Sequence, residues 1–213
     1  MAPRSSPAMP RTLAAGAFRL FAKKGIRNVN LDAVAAAAGV TKGSLYWHFR
    51  SKRELIQAAC EHYYRTYHER IVEEIGRGRD PRATLKRILR LNVRICLLDA
   101  ENRNFTLEIL TLSVHDKAIR QSWLAFYDRV RTEYVDLLLA ARPAGPQAQR
   151  DALKAANCLL EAFEGVKLRA LFEPAICSDS AEEDRIVENL MVIAGLVPGP
   201  SASAAGAAPP SPG

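Results

Sequence analysis

The sequence predicts an all-α protein of about nine helices. Apolar residues recur three and four positions apart along almost the whole chain, and no segment alternates apolar with polar residues as a strand would. Gly, Pro and small capping residues fall at the ends of the periodic segments. At 213 residues, 48% apolar and 25% charged, the chain suits one compact domain or two small ones.

Met1–Pro10, with three prolines, reads as a disordered arm. The first helix covers Arg11–Lys24, where Leu13, Ala14, Ala17, Phe18 and Phe21 form one stripe and Gly25 stops it. The second covers Leu31–Ala38, with Asn30 as N-cap and Asp32 suited to the helix dipole. Gly39 and Val40 make a turn. A third helix opens on Thr41 and ends near His48. Ser51 and Glu54 have capping-box spacing, and the helix they start runs to about Ile75, before Gly76 and Gly78. Further helices are predicted over Ala83–Leu98, Arg103–Ser113, Lys117–Ala141, Gln147–Phe172 and Ala181–Leu196. The Pro, Gly, Ser and Ala of Pro198–Gly213 read as a disordered tail.

Charge divides the chain. Residues 1–53 hold ten Lys/Arg against one acid, and residues 54–213 hold twenty against twenty-two. A basic module on a near-neutral body is the footprint of a nucleic-acid binder, although basic surfaces also meet membranes and RNA. Four scattered cysteines make no CxxC pair, which argues against a disulfide framework or a zinc site. His62 and His68 share a helix but lie six apart, which does not align them for a metal. The sequence has no GxSxG, HExxH or phosphate loop, so a non-enzyme without metal or cofactor is expected. Without a secretory signal or a membrane-length apolar run, a cytoplasmic location is expected.

Leu31–Phe49 has the form of a helix-turn-helix. Ala35–Ala38 supply small residues for the helix crossing, Gly39 the turn, and Leu31, Val34, Val40, Leu45 and Phe49 the buried side. At 100° per residue, Gly43, Ser44, Tyr46 and Trp47 lie away from Leu45 and Phe49 and form the face that enters the major groove of DNA. Thr41 sits at the anion-attracting helix N-terminus. Gly43 keeps the helix slim. Lys42, Ser44 and Trp47 are assigned to base edges, and Tyr46, His48 and Lys52 to phosphates. An exposed Trp47 is costly without a partner; the alternative packs it as core against the neighbouring module.

Residues 11–55 resemble the N-terminal domain of TetR/AcrR-type regulators. The resemblance rests on Ala14-Ala15, Phe18 and Phe21, Lys24-Gly25, Val34-Ala35, Ala38-Gly39-Val40, Lys42-Gly43-Ser44-Leu45-Tyr46, His48-Phe49, Ser51-Lys52 and Glu54-Leu55. Val29-Asn30 stands where that family more often has two threonines, so a phosphate contact from Asn30 is the point in question. The resemblance implies a homodimer on a palindromic DNA operator, acting as a repressor released by a small-molecule effector. The alternative is a dimeric DNA binder whose C-terminal half serves assembly alone.

Residues 56–197 would then form the effector-binding and dimerisation domain. Ala152, Ala156, Leu159, Phe163, Val166 and Ala170, with Ile186, Leu190, Ile193 and Val197, recur at coiled-coil spacing and predict either a dimer seam or monomer core. Leu89, Val93, Cys96, Phe105, Leu112, Trp123, Phe126 and Tyr127 are the expected pocket lining. Glu108, Glu161 and Glu164 lie on mainly apolar helices, and acids beside Trp123 and Tyr127 suit a cationic ligand. Leu160–Pro174 is similar to the C-terminal domain of BetI-type repressors within the same family.

Overall fold

The computed structural model describes residues 8–142 and 145–196. Among them the chain forms nine α-helices and no strand: α1 (Ala8–Lys24), α2 (Leu31–Ala37), α3 (Lys42–His48), α4 (Lys52–Gly76), α5 (Pro81–Val93), α6 (Ala100–Ser113), α7 (Lys117–Ala141), α8 (Ala148–Arg169) and α9 (Ser180–Ile193). Short polar side chains start most of them. Asn30, Thr41, Ser51, Asp80, Asp99, Asp116 and Asp179 each accept a hydrogen bond from a backbone N–H in the first turn that follows.

Several boundaries differ from the sequence reading; α8 ends at Arg169 rather than Phe172 and α9 at Ile193 rather than Leu196. Helix α1 begins at Ala8 rather than Arg11, so the arm predicted over residues 1–10 overlaps a helix; Pro10 sits in a first turn, where its missing N–H costs nothing. The segment predicted as one helix to Leu98 stops being α-helical at Val93. Arg94–Leu98 widen into a π turn, closed by Asp99 N–H donating to Arg94 O at 2.9 Å. Asp99 then caps α6, which therefore starts before Arg103. The predicted tail and Val197 lie outside the described residues.

Helices α1, α2 and α3 make an N-terminal unit seated on the body through α4 and α6. Phe18 of α1 is the main wedge. Its ring meets Phe105 of α6 edge-on at 4.8 Å and stacks with Tyr63 of α4 at 6.3 Å. Beside it, Glu108 of α6 accepts the Ile26 N–H at 2.9 Å, a polar latch between unit and body. Within the body, Arg53 at the start of α4 reaches Asp116, the cap of α7, at 2.7 Å.

The seam predicted on α8 and α9 is largely monomer core. Ala152, Ala156 and Leu159 are fully buried within the chain, as α8 packs on α7, and Ala170 is buried as well. Ile186 and Leu190 are buried as α9 packs on α5. Phe163, Val166 and Ile193 are half-buried against the same core. A seam facing a partner and a stripe facing one's own helices carry the same three-four spacing, so the pattern named the buried face but not its neighbour.

Gly25 sets the approach of the N-terminal unit to α6. Its φ of 80° and ψ of 143° suit glycine alone, and a Cβ there would touch Glu108 Oε1 at 3.4 Å. Gly25→Ala is expected to lose about 1–3 kcal/mol of stability, read as a lower urea midpoint at unchanged slope. An unchanged midpoint would show that the junction tolerates another backbone path.

Candidate nucleic-acid interface and interior cavity

Helix α3 is pinned by its inner face. Leu45 is fully buried and Phe49 nearly so, as predicted. Thr41 Oγ1 accepts the Ser44 N–H at 3.1 Å and fixes the first turn. On the outer face Trp47 is 70% exposed and Tyr46 46%, which discards the reading of Trp47 as core. His48 supports the indole edge-on, with ring centroids 4.6 Å apart. Nothing in the chain lies within 4 Å of a Cβ built on Gly43, so the fold itself does not require a glycine there.

Other predicted contact residues are partly committed inside the protein. Lys42 Nζ lies 2.5 Å from Asp32 on α2, and this hydrogen bond and its charge raise the lysine pKa. The pair is exposed and screened, so Lys42 stays able to exchange partners. Asn30 Oδ1 accepts the Ala33 N–H at 2.8 Å, so its side chain serves as the α2 cap. Lys52 Nζ donates to Arg27 O at 3.3 Å, and partial burial lowers its pKa. That bond ties α4 to the turn before α2.

The second feature is a cavity of about 30 Å3 between α4, α5, α7 and α8. Four predicted lining residues reach it: Cys96, carried in by the π turn, and Trp123, Phe126 and Tyr127 of α7. The others do not. Leu89, Val93 and Phe105 are sealed in the core, Glu108 is the latch to Ile26, Leu112 packs half-buried away from the cavity, and Glu161 is exposed. Helical periodicity placed these residues on apolar helices without fixing which side each presents.

The polar centre of the cavity is Glu164. Its Oε1 accepts from the Tyr127 hydroxyl and, at 2.9 Å, from Lys167 Nζ. The Lys167 side chain is only 4% exposed. Glu164 Oε2 and Asn92 Oδ1 are buried without a hydrogen-bond partner, and the Trp123 indole N–H faces the Tyr127 hydroxyl without reaching hydrogen-bond geometry. Burial, reinforced by Glu164, pushes the Tyr127 pKa far up; burial does the same for Tyr63 and Tyr67, so these phenols are neutral. Lys167, Tyr63, Tyr67, Tyr134 and Asn92 were not singled out in the sequence. The three-residue spacing of Glu164 and Lys167 was the available signal.

The cavity and the N-terminal unit share one aromatic column. Phe18 stacks with Tyr63, Tyr63 stacks with Trp123 at 6.4 Å, and Trp123 meets Tyr127 at 5.3 Å. Tyr127 ends the column on Glu164.

Residues 13–59 match the family model for bacterial regulatory proteins of the tetR family. That match spans α1 to α3 and the start of α4. The N-terminal unit is thus a TetR-family DNA-binding domain in its sequence. Among its curated relatives, AcrR of Shigella flexneri is 32% identical over 123 residues, 54% of this chain and 57% of that protein. ArpR of Pseudomonas putida is 36% identical over 93 residues, 43% of this chain and 44% of that protein. The chain thus matches about half the length of these regulators. A transcriptional regulator from Saccharomonospora viridis, solved in complex with choline, superposes with a TM-score of 0.72 over 87% of this chain and 94% of that one, at 21% identity. A TetR-like regulator from Rhodococcus sp. RHA1 gives 0.66 over 90% and 97%, at 22% identity. These likenesses extend the TetR fold through the C-terminal half. Among the described residues, no helix is long and apolar enough to cross a membrane.

Lys167 neutralises a carboxylate inside the body. Lys167→Met leaves Glu164 held by Tyr127 alone and is expected to lose about 1–3 kcal/mol, discounted for the partial exposure of Glu164. Adding Glu164→Gln should recover part of the loss in thermal or urea unfolding. A double variant less stable than the single one would mean that the pair is not the source of the effect.

Proposed function

We propose that the chain is a dimeric transcription regulator that holds DNA through the outer face of α3 and lets go when a small cation enters the aromatic cavity. The observation that carries the DNA reading is Trp47, 70% exposed on a helix whose opposite residue, Leu45, is fully buried. A large apolar surface held out by a rigid short helix needs a partner. Its surroundings are basic, with ten Lys/Arg against one acid in residues 1–53. Gly43, open on the protein side, leaves room for a close approach of backbone to bases or phosphates. Trp47, Ser44 and a Lys42 released from Asp32 read base edges, while Tyr46, His48 and the helix N-terminus at Thr41 hold phosphates.

One short helix covers only a few base pairs, so a two-fold pair on a palindromic operator follows. The exposed Leu168, Leu171 and Phe172, neighbours at the end of α8, supply apolar surface for that pairing. They replace the buried seam residues as the dimer contact.

For the effector, the support is an aromatic wall around a carboxylate with a free oxygen, Glu164 Oε2. Ring faces and a buried acceptor together suit an ammonium group. Lys167 already neutralises this carboxylate from its other oxygen, so the ring faces of Trp123, Phe126 and Tyr127 supply most of the attraction in this reading. The fold neighbour solved with choline adds a small-cation precedent.

Two measurements test this reading. Against a duplex selected from genomic fragments, Trp47→Ala should bind about tenfold to a hundredfold more weakly with an unchanged melting temperature; equal affinity would reject the assignment of α3. In calorimetry, choline should bind and its uncharged carbon isostere, dimethylbutanol, should not. Equal binding of the two would remove the cation from the reading.

A further inference from the structure

The interior cavity, at about 30 Å3, holds one or two waters as it stands, so an ammonium head enters only when a wall side chain moves. Its wall is thin on one side. Tyr67, Phe126 and Val130 line the cavity and also line a separate groove between α4 and α7, of about 290 Å3. The groove floor is aromatic: Tyr64 lies flat against Phe126, with ring centroids 4.5 Å apart and planes 12° from parallel. Its rim is charged yet internally balanced. His68 Nδ1 sits 2.8 Å from Glu133, and Arg129 lies over the Tyr64 ring at 5.8 Å. The groove therefore has an aromatic floor, largely covered by Phe126 and Arg129, and no strong net field, whereas the cavity offers two unpaired buried acceptors, Glu164 Oε2 and Asn92 Oδ1, in an aromatic wall.

We propose that the cavity and the α4–α7 groove are two ends of one binding site for an elongated ammonium ligand. The head sits at Glu164 Oε2 between Trp123 and Tyr127. An apolar or aromatic body passes the Phe126 ring and lies on Tyr64 and Tyr67. Joined, the two spaces reach the lower range of ordinary ligand sites, about 300 Å3. The Phe126 ring, which lines both spaces, swings aside in this proposal to join them and admit the head. The ligand would then touch α4, the helix that leads directly from α3, along its length from Tyr63 to Tyr67. This inference rests on the reading of the cavity as a cation site.

The test uses the full chain with Trp47→Phe. The sequence has two tryptophans, so Trp123 in the cavity becomes the sole indole reporter. Two probes are titrated, tetramethylammonium, which is a head alone, and phenylpropyltrimethylammonium, which adds a body. Both should change Trp123 emission, and the longer probe should bind about tenfold tighter or more, from the ring surface it buries. Glu61→Phe, at an exposed position of the groove on α4, fills the groove and should abolish that advantage while leaving tetramethylammonium unchanged. If both probes bind alike, or if Glu61→Phe affects neither, the elongated site is wrong and the cation cavity stands. If neither probe binds, both readings fall.

Discussion

Phe18 leaves α1 and enters the body between Phe105 on α6 and Tyr63 on α4. The N-terminal helices have a small core of their own, built on Leu13, Phe21, Val34 and Leu45. Helices α2 and α3 are seven residues each, too short to stand alone, and become a rigid reading head only because α1 is anchored. Burying one aromatic ring is worth about 1.5–3 kcal/mol, a sizeable part of a domain's net stability. Around this wedge, the Gly25 turn and the Glu108 latch fix the angle at which α3 leaves the body. The exposure of Trp47 has meaning only because that angle is held.

The same ring opens the route inward. From Phe18 the aromatic column continues through Tyr63 and Trp123 to Tyr127 and the Glu164–Lys167 pair. Aromatic packing is dense and responds to a displaced ring by shifting its neighbours rather than by deforming smoothly. A ligand that separates Tyr127 from Glu164 or turns Trp123 therefore acts on the side chains that hold α1. In the proposed regulator, effector and DNA compete for the position of α4.

Much of this was legible in the sequence, for physical reasons. Helices with strong caps were read nearly to the residue, as with Lys117–Ala141 behind Asp116 and α3 behind Thr41. The face of α3 was readable because Leu45 and Phe49 fix its buried side and 100° per residue does the rest. The π turn at Arg94–Leu98 was not, since it keeps helical apolar spacing while shifting Cys96 toward the cavity. Nor was the neighbour of each apolar stripe. Ala152, Ala156 and Leu159 meet α7 and not a second chain, and Leu89 and Phe105 are core and not pocket wall. Glu108 reads from sequence as a possible ligand acid; only the turn at Gly25 brings the Ile26 N–H to it.

In the proposed regulator the cavity and the outer face of α3 are energetically coupled. Linkage makes that coupling reciprocal: whatever factor the effector takes from DNA affinity, DNA takes from effector affinity. The most direct measurement is the affinity of choline for the protein, determined once free and once saturated with its selected duplex at the same salt. Choline should bind the DNA-bound protein more weakly, by the factor with which choline weakens the duplex, about fivefold or more. Choline bound with equal affinity in both states would contradict it.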